Sequence, residues 1–315
     1  MTLVGNAREI LSEDLNDWPP LTAAYKRLFD ELSLPAYQVR TVFDHYVVHQ
    51  GVAHTSKATI ILRVDVDAGF HLSYPLALQL HRRGLTASHY FLTDESRYYN
   101  IWMSEIPQRI AKLNQEVGLH SDHLYQQITT GVDGVQRIRD DVKRLALLSQ
   151  VPVYGMMYHG HPAMSVYGCN VELYDNIAPE DLGLTYHDGL ASVYRDPSKG
   201  VGQPRCHARV IDFMGLSSSW GWNYLSRYPL SYVRKHARKG EVLCIDFHTH
   251  NAFEYWRDWP IFYDERKREQ ESFLLFQKKR FLILSRLYGL PVMLRVVEVL
   301  GVKRAIKRLI QINTK

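Results

Sequence analysis

The chain has 315 residues, of which 46% are hydrophobic and 23% charged, with a net charge of +5. That balance describes a folded globular protein and excludes disorder and collagen-like repeats, and so mild a charge does not require a nucleic-acid partner. The three scattered cysteines, Cys169, Cys206 and Cys244, can neither close a disulfide framework nor form a zinc ribbon, which suits a reducing, cytoplasmic setting.

The opening MTLVGNAREILSEDLND lacks the basic start and apolar run of an export signal, so the chain is expected to be mature protein. No run of about 18 apolar residues is free of charge, so no membrane span is expected. Residues 1–57 read as a helical lead-in. The spacing of Leu21, Tyr25, Leu28, Phe29 and Leu32 predicts a helix over 21–34 that ends before Pro35. ATIILRVDVD (58–67) is a short apolar run closing on two acids, as in a buried strand with polar side chains at its tip. A helix over 74–83 stops at Gly84, and TASHYFLT (86–93) reads as a strand. A helix over 106–116 leads into the strand EVGLHSDH, and an amphipathic helix over 135–149 leads into PVYGMMYHGHP, another strand with a polar end. LGLTYHDG, ASVYRD and ARVIDF read as further strands, followed by a helix over 228–238 and the strand EVLCIDFHTHN. This alternation indicates an α/β fold of parallel βαβ units, with about seven strands forming a barrel over 58–263.

Residues 264–315 differ in texture. Thirteen Lys and Arg against five acids give this tail +8, leaving −3 for residues 1–263. It reads as two basic helices divided near Gly289-Leu290-Pro291. Apolar positions such as Val299, Val302, Ile306 and Leu309 accompany Lys303, Arg304, Lys307 and Arg308. A helix packed on the barrel with a solvated basic face is the favoured reading, and peripheral contact with an anionic membrane surface is the other. No nucleic-acid-binding motif accompanies the charge.

Of the 15 histidines, a few gather with acids at the C-terminal ends of separate strands: Asp65 and Asp67, His120 and His123, His159 and His161, His248 and His250. In a parallel barrel those ends form one face, where groups from different strands converge. Imidazole with carboxylate suits zinc or a similar divalent ion with positions left for water. Asp65 and Asp67 share a strand face, and like charges so placed call for a cation or a proton. A helix cap would explain one acid but not both. The i, i+3 spacing of His120 and His123 suits a helical turn, and His123 could equally satisfy a backbone carbonyl. His159 and His161 face substrate or pack in a loop, while His248 and His250 share a face as a site or as an exposed pair. Aromatics near the same ends, Trp222 among them, suit sugar rings, although core packing is their commoner use.

The ordered set resembles the polysaccharide deacetylase (NodB-homology) family of carbohydrate esterases. ILRVDVD resembles its first motif, EVGLHSDH its second and LCIDFHTHN its closing motif, with YGMMYHGHP in the place of the middle one. Similarity is greatest to a branch with HDVD-type first motifs, an SxYN segment (here residues 96–100) and GLH, often associated with surface-polysaccharide biosynthesis. The resemblance covers roughly 58–256. It implies a distorted (β/α)7 barrel, one divalent ion (zinc first) on an Asp-His-His set, and deacetylation of an N- or O-acetylated sugar or glycan. By position Asp65 resembles the general base, Asp67 and His120 metal ligands, and His248 the general acid; because Val66 separates the two acids, which the family places side by side, the base and ligand roles of Asp65 and Asp67 are open to exchange. Asp246, two residues earlier on the same strand, either holds the His248 ring or points to a neighbouring helix. The family's second motif spaces its histidines four apart. Here Leu124 stands at that position and His123 one earlier, so the third ligand is open between His123, His159 and His161. His159, His161, Trp222 and His250 are then candidates to contact substrate. Two other readings stand beside this one. DFHTHN also resembles the HxH pair of amidohydrolase and phosphoesterase barrels, and a non-catalytic carbohydrate-binding relative would keep the barrel without its chemistry.

Overall fold

A computed structural model describes residues 13–50, 53–66, 69–93, 101–160, 169–188, 209–212, 230–240 and 242–254. The chain divides into two units, Met1–Glu265 and Arg266–Lys315, and every described residue falls in the first. The basic tail, Asp67, His161 and Trp222 lie outside the described residues, as does ASVYRD. No helix among the described residues is long and apolar enough to cross a membrane.

Among the described residues eight strands, all paired in parallel, alternate with helices. They are β1 Tyr37–Arg40, β2 Ala58–Val66, β3 Ser88–Leu92, β4 Glu116–Ser121, β5 Gly155–Tyr158, β6 Tyr186–His187, β7 Arg209–Asp212 and β8 Val242–His248. The α-helices among the described residues are α1 Ala23–Leu32, α2 Ser73–His81, α3 Ile106–Lys112, α4 His123–Thr130, α5 Gly134–Ser149 and α6 Leu230–His236. The order β6-β5-β4-β3-β2-β8-β7 is the circular order of a seven-stranded barrel, with β6 and β7 unpaired to each other among the described residues. The sheet is thus a curled half-barrel, in keeping with the distorted barrel expected. Its shape follows from parallel strands whose connections return on one side.

Three local expectations change. The lead-in is not purely helical: α1 forms, with Thr22 capping it, but Tyr37–Arg40 joins the sheet as β1. β3 accompanies β2 only from Arg63 onward, so on that side β2 would present unpaired backbone over Ala58–Ile61, and β1 fills that gap. The helix over 106–116 stops at Lys112, and Glu116 opens β4 opposite Ser88. The strand expected to run through His123 ends at Ser121, because His123 opens α4.

Period-two alternation divides each strand between two environments. Ile60, Leu62, Val64 and Val66 of β2, with Leu243, Ile245 and Phe247 of β8, pack in the large core beneath the helices. Ile61 and Cys244 belong to a second, smaller cluster with Val42, Tyr90, Met157 and Tyr186 on the concave side. Arg63, Asp65, Asp246 and His248 share that concave register. Strand pairing there is close. Tyr90 lies opposite Gly118 and Tyr186 opposite Gly155. A Cβ on Gly155 would fall 1.8 Å from the Tyr186 ring, so only glycine fits. The two tyrosine hydroxyls are 2.7 Å apart. Tyr186 and Ser88 donate to the Glu116 carboxyl, and the Phe43 N–H donates to it at 3.0 Å. Burial pushes the Glu116 carboxyl up in pKa against the opposing pull of these donors.

Gly155→Ala should therefore cost about 1–3 kcal/mol in urea denaturation by overpacking against Tyr186. Gly160→Ala, where a Cβ meets nothing within 4 Å, should change stability by less than about 0.5 kcal/mol.

Acid sensitivity follows from buried imidazoles. His89 on β3 is fully buried with neither ring nitrogen hydrogen-bonded, and burial pushes its pKa down to about 3. His45 falls to about 4 through burial and the nearby Arg40 and His49. A histidine whose folded pKa lies below its unfolded value of about 6.5 stabilises fully above that pH and loses the contribution as pH falls toward the folded value. Thermal melts should show stability dropping below about pH 6.5. His89→Leu should remove up to about 1.4 kcal/mol of that loss per pH unit. An unchanged slope would place the acid sensitivity elsewhere.

Candidate active site

Charged and imidazole side chains meet at the C-terminal ends of the strands. Register sets the rungs: Arg63 lies opposite Asp246, and Asp65 opposite His248. Two residues apart on β2, Arg63 and Asp65 form a fork, with Nε to Oδ1 at 2.9 Å and Nη2 to Oδ2 at 2.7 Å. Arg63 Nη1 faces Asp246 Oδ2 at 3.4 Å, and the guanidinium lies 5.8 Å from the Tyr90 ring centre. Asp65 is 1% exposed. Burial alone would raise its pKa, but the Arg63 guanidinium and the His120 and His248 imidazoles hold it below the usual carboxylate range. Asp246, placed from sequence either on the His248 ring or toward a helix, faces Arg63 because both side chains point to the concave face.

His120 ends β4 with Nδ1 3.2 Å from the Met157 carbonyl and Nε2 3.6 Å from Asp65 Oδ2. A carbonyl only accepts, so Nδ1 carries the hydrogen and the neutral ring turns a lone pair toward a carboxylate. Two acceptors so placed call for a second proton on His120 or a cation between them.

His123 is engaged elsewhere. Its Nδ1 is 3.0 Å from Ser121 Oγ and its Nε2 3.2 Å from Asp141 Oδ2 on α5. Asp141 also takes Thr93 Oγ1 at 2.7 Å and lies 3.2 Å from Arg137 Nε. The break between β4 and α4 sends the His123 side chain toward the helix layer, fully buried. His159 follows β5, with its N–H donating to the Ser121 carbonyl at 2.8 Å and its ring edge-on to His120 at 5.0 Å between centres. His159 Nδ1 is 3.6 Å from the buried Asp122. His248 and His250 have ring centres 5.4 Å apart.

Four participants escaped the sequence reading. Arg63 carried a signal, a cation two positions before an acid within a buried strand. Asp188 sat in the recognised YHDG stretch; it accepts the Tyr158 N–H at 2.8 Å and the Tyr174 hydroxyl at 2.7 Å, and burial raises its pKa. Asp122 was hidden between the two histidines of the second motif, and Asn170 had no signal at all.

A catalytic zinc takes three protein ligands. Among the described residues no group of three His, Cys, Asp or Glu converges to hold an ion. The facing Asp65–His120 pair fits one side of a cation, and the rest of a ligand set is not among the described residues, so no chemical step is derived through a metal.

Arg63→Met should deprive two buried carboxylates of their guanidinium and cost about 3–5 kcal/mol at pH 7 in chemical denaturation. The deficit should narrow as pH falls, because the two acids can then protonate. A pH-independent deficit would mean that lost packing, not lost charge, is responsible.

No family model matches the sequence, and no curated protein matches it. Solved structures of CE4-family proteins do. A mutant of a CE4-family pseudoenzyme with restored enzymatic activity is 13% identical, with 70% of this chain and 66% of that one covered and a TM-score of 0.36. The wild-type pseudoenzyme from Bacillus anthracis is 14% identical, with 70% and 63% covered and a TM-score of 0.33. The Xyl-CE4 domain of a multidomain xylanase from the hindgut metagenome of Trinervitermes trinervoides is 16% identical, with 68% and 82% covered and a TM-score of 0.34. The chain thus spans about two thirds of the length of the pseudoenzyme structures. This protein has structural matches to CE4 carbohydrate-esterase-type proteins at low sequence identity, pseudoenzymes among them, and its own side chains must carry any functional reading.

Proposed function

We propose that this protein is a hydrolase that removes an acetyl group from an N- or O-acetylated sugar or glycan, acting in the cytoplasm in surface-polysaccharide biosynthesis. The observation that carries the reading is the convergence of Asp65, His120, His159 and His248 at strand ends on the concave side of a parallel sheet, around one buried guanidinium. That is where such folds collect groups from different strands for chemistry. His248 suits the general acid: it stands at the rim, partly buried, beside an anionic Asp65. The facing acceptors of Asp65 and His120 support a divalent ion, zinc first, with Asp67 as the additional sequence-assigned ligand. Such an ion supplies a water of lowered pKa.

A second reading, a carbohydrate-binding protein without catalysis, draws on the Arg63 fork. With both Asp65 oxygens engaged and its pKa held down, this carboxylate is a weak base.

Acetate release from nucleotide-linked and lipid-linked acetylated sugars decides between them. Release should stop on chelation, return with zinc, and fall about 10²–10⁴-fold in kcat with His248→Gln. Metal content should drop in Asp67→Ala. Sugar binding without acetate release would establish the binding reading, and metal-independent release would remove the ion from the proposal.

A further inference from the structure

The segment after β1, residues 41–49, covers the smaller cluster on the concave side. Val42 is fully buried there with Ile61, Tyr90, Met157 and Tyr186, and Phe43 stacks on Tyr154 with ring centres 3.8 Å apart. Side chains of the sheet tie down its backbone: the Val42 N–H donates to Ser88 Oγ at 2.8 Å, and the Phe43 N–H to Glu116 Oε2 at 3.0 Å. Asp44–Val48 then winds as a π-helical turn, a rare form met frequently at functional positions. Within that turn His45 is fully buried. Arg40 Nη1 lies 3.4 Å from His45 Nδ1, and His45 Nε2 makes no hydrogen bond. A guanidinium only donates, so Nδ1 is the acceptor and Nε2 carries the hydrogen.

We propose that residues 41–49 are an acid-released strap, latched by neutral His45 and freed from the concave side when that imidazole takes a second proton. The proton has one place to go, Nδ1, which faces the guanidinium. It would turn an acceptor into a donor and set two cations side by side out of water. The charged and titratable groups around His45 are Arg40 of β1 and, on the strap itself, Asp44, Tyr46 and His49. Arg40 and His49 both oppose a positive imidazole. Asp44, half-buried, is shared between Arg40 Nε at 3.7 Å and His49 Nε2 at 3.5 Å. From the sheet beneath, Glu116 reaches the strap at the Phe43 N–H. In the released strap the imidazole is in water and protonates near its ordinary pKa of about 6.5, so acid draws the strap away. Release removes one donor from Glu116 and uncovers the apolar neighbours of Val42. The switch does not depend on the acetyl-sugar reading.

Amide hydrogen exchange of the full chain tests this, read residue by residue by NMR at pH 7.5 and pH 5 and corrected for intrinsic rates. His45 has a folded value of about 4 against about 6.5 when released, so protection of the Val42, Phe43 and His45 amides should fall about 10–30-fold between the two conditions. At pH 5 these amides should exchange at least about tenfold faster than the slowest amides of α5, because the strap opens without the rest of the fold. In His45→Gln, which cannot gain the charge, the fall should shrink to less than about threefold. The full fall retained in a folded His45→Gln would overturn the proposal and place the acid response on Glu116. So would strap amides that exchange only as slowly as the slowest of α5. One measurement needs no variant: in histidine-labelled wild-type protein the His45 ring should stay mostly neutral at pH 5. A ring that titrates near pH 6.5 while the strap stays protected would also overturn the proposal.

Discussion

A guanidinium buried on the concave face of the sheet is tolerable only if its charge is met there. Taking Arg63 and Asp65 out of water costs several kcal/mol per ion, and attraction offsets that only with good geometry and every donor directed. The fork on Asp65 and the third nitrogen toward Asp246 meet that condition. The consequence reaches beyond stability. Because Arg63 must be answered from its own strand and from β8, the C-terminal ends of those strands are held in one register, and that register puts His248 beside Asp65. The anionic state of Asp65 is thus set by the same interaction that places the imidazole next to it.

Below this charged layer the concave side is closed by a different chemistry. Tyrosines lie across glycines of the neighbouring strand, and their hydroxyls converge on Glu116. No cation is paired with Glu116 in these bonds; it is held by neutral donors, including the Phe43 N–H from the segment after β1. A carboxyl with a raised pKa surrounded by hydroxyls suits a packed floor, while a carboxyl with a lowered pKa beside imidazoles suits a reacting surface. The two acids differ in what holds them: a guanidinium and imidazoles at Asp65, hydroxyls and a backbone N–H at Glu116.

Much of the architecture was legible in the sequence, because strand–helix alternation and apolar runs with polar tips have a direct geometric meaning. ATIILRVDVD showed its strand and its acidic end, and LCIDFH showed the closing strand. What remained hidden depended on partners far along the chain. β1 forms because β2 lacks a neighbour on its β3 side over its first residues, which no property of YQVR reveals. The end of β4 at Ser121 was obscured because Ser121-Asp122-His123 has no Gly or Pro to mark the turn, and that single boundary decides where His123 points. Arg63 was overlooked for a different reason: a cation inside an apolar strand reads as an exception until the register shows it opposite Asp246.

The histidines make the general point. His120 and His123 both turn Nδ1 toward a fixed oxygen: the Met157 carbonyl and the Ser121 hydroxyl. What separates them is the environment of Nε2. In His123 it meets Asp141 in the helix layer, where Thr93 and Arg137 complete a buried strut between the ends of β3 and β4 and helix α5. In His120 it meets Asp65 on the concave side. Spacing along the chain therefore says only that these imidazoles are near the strand ends. The partner on the far nitrogen decides whether an imidazole braces the fold or faces the chemistry, and that partner comes from another strand or helix, placed by the curl of the sheet.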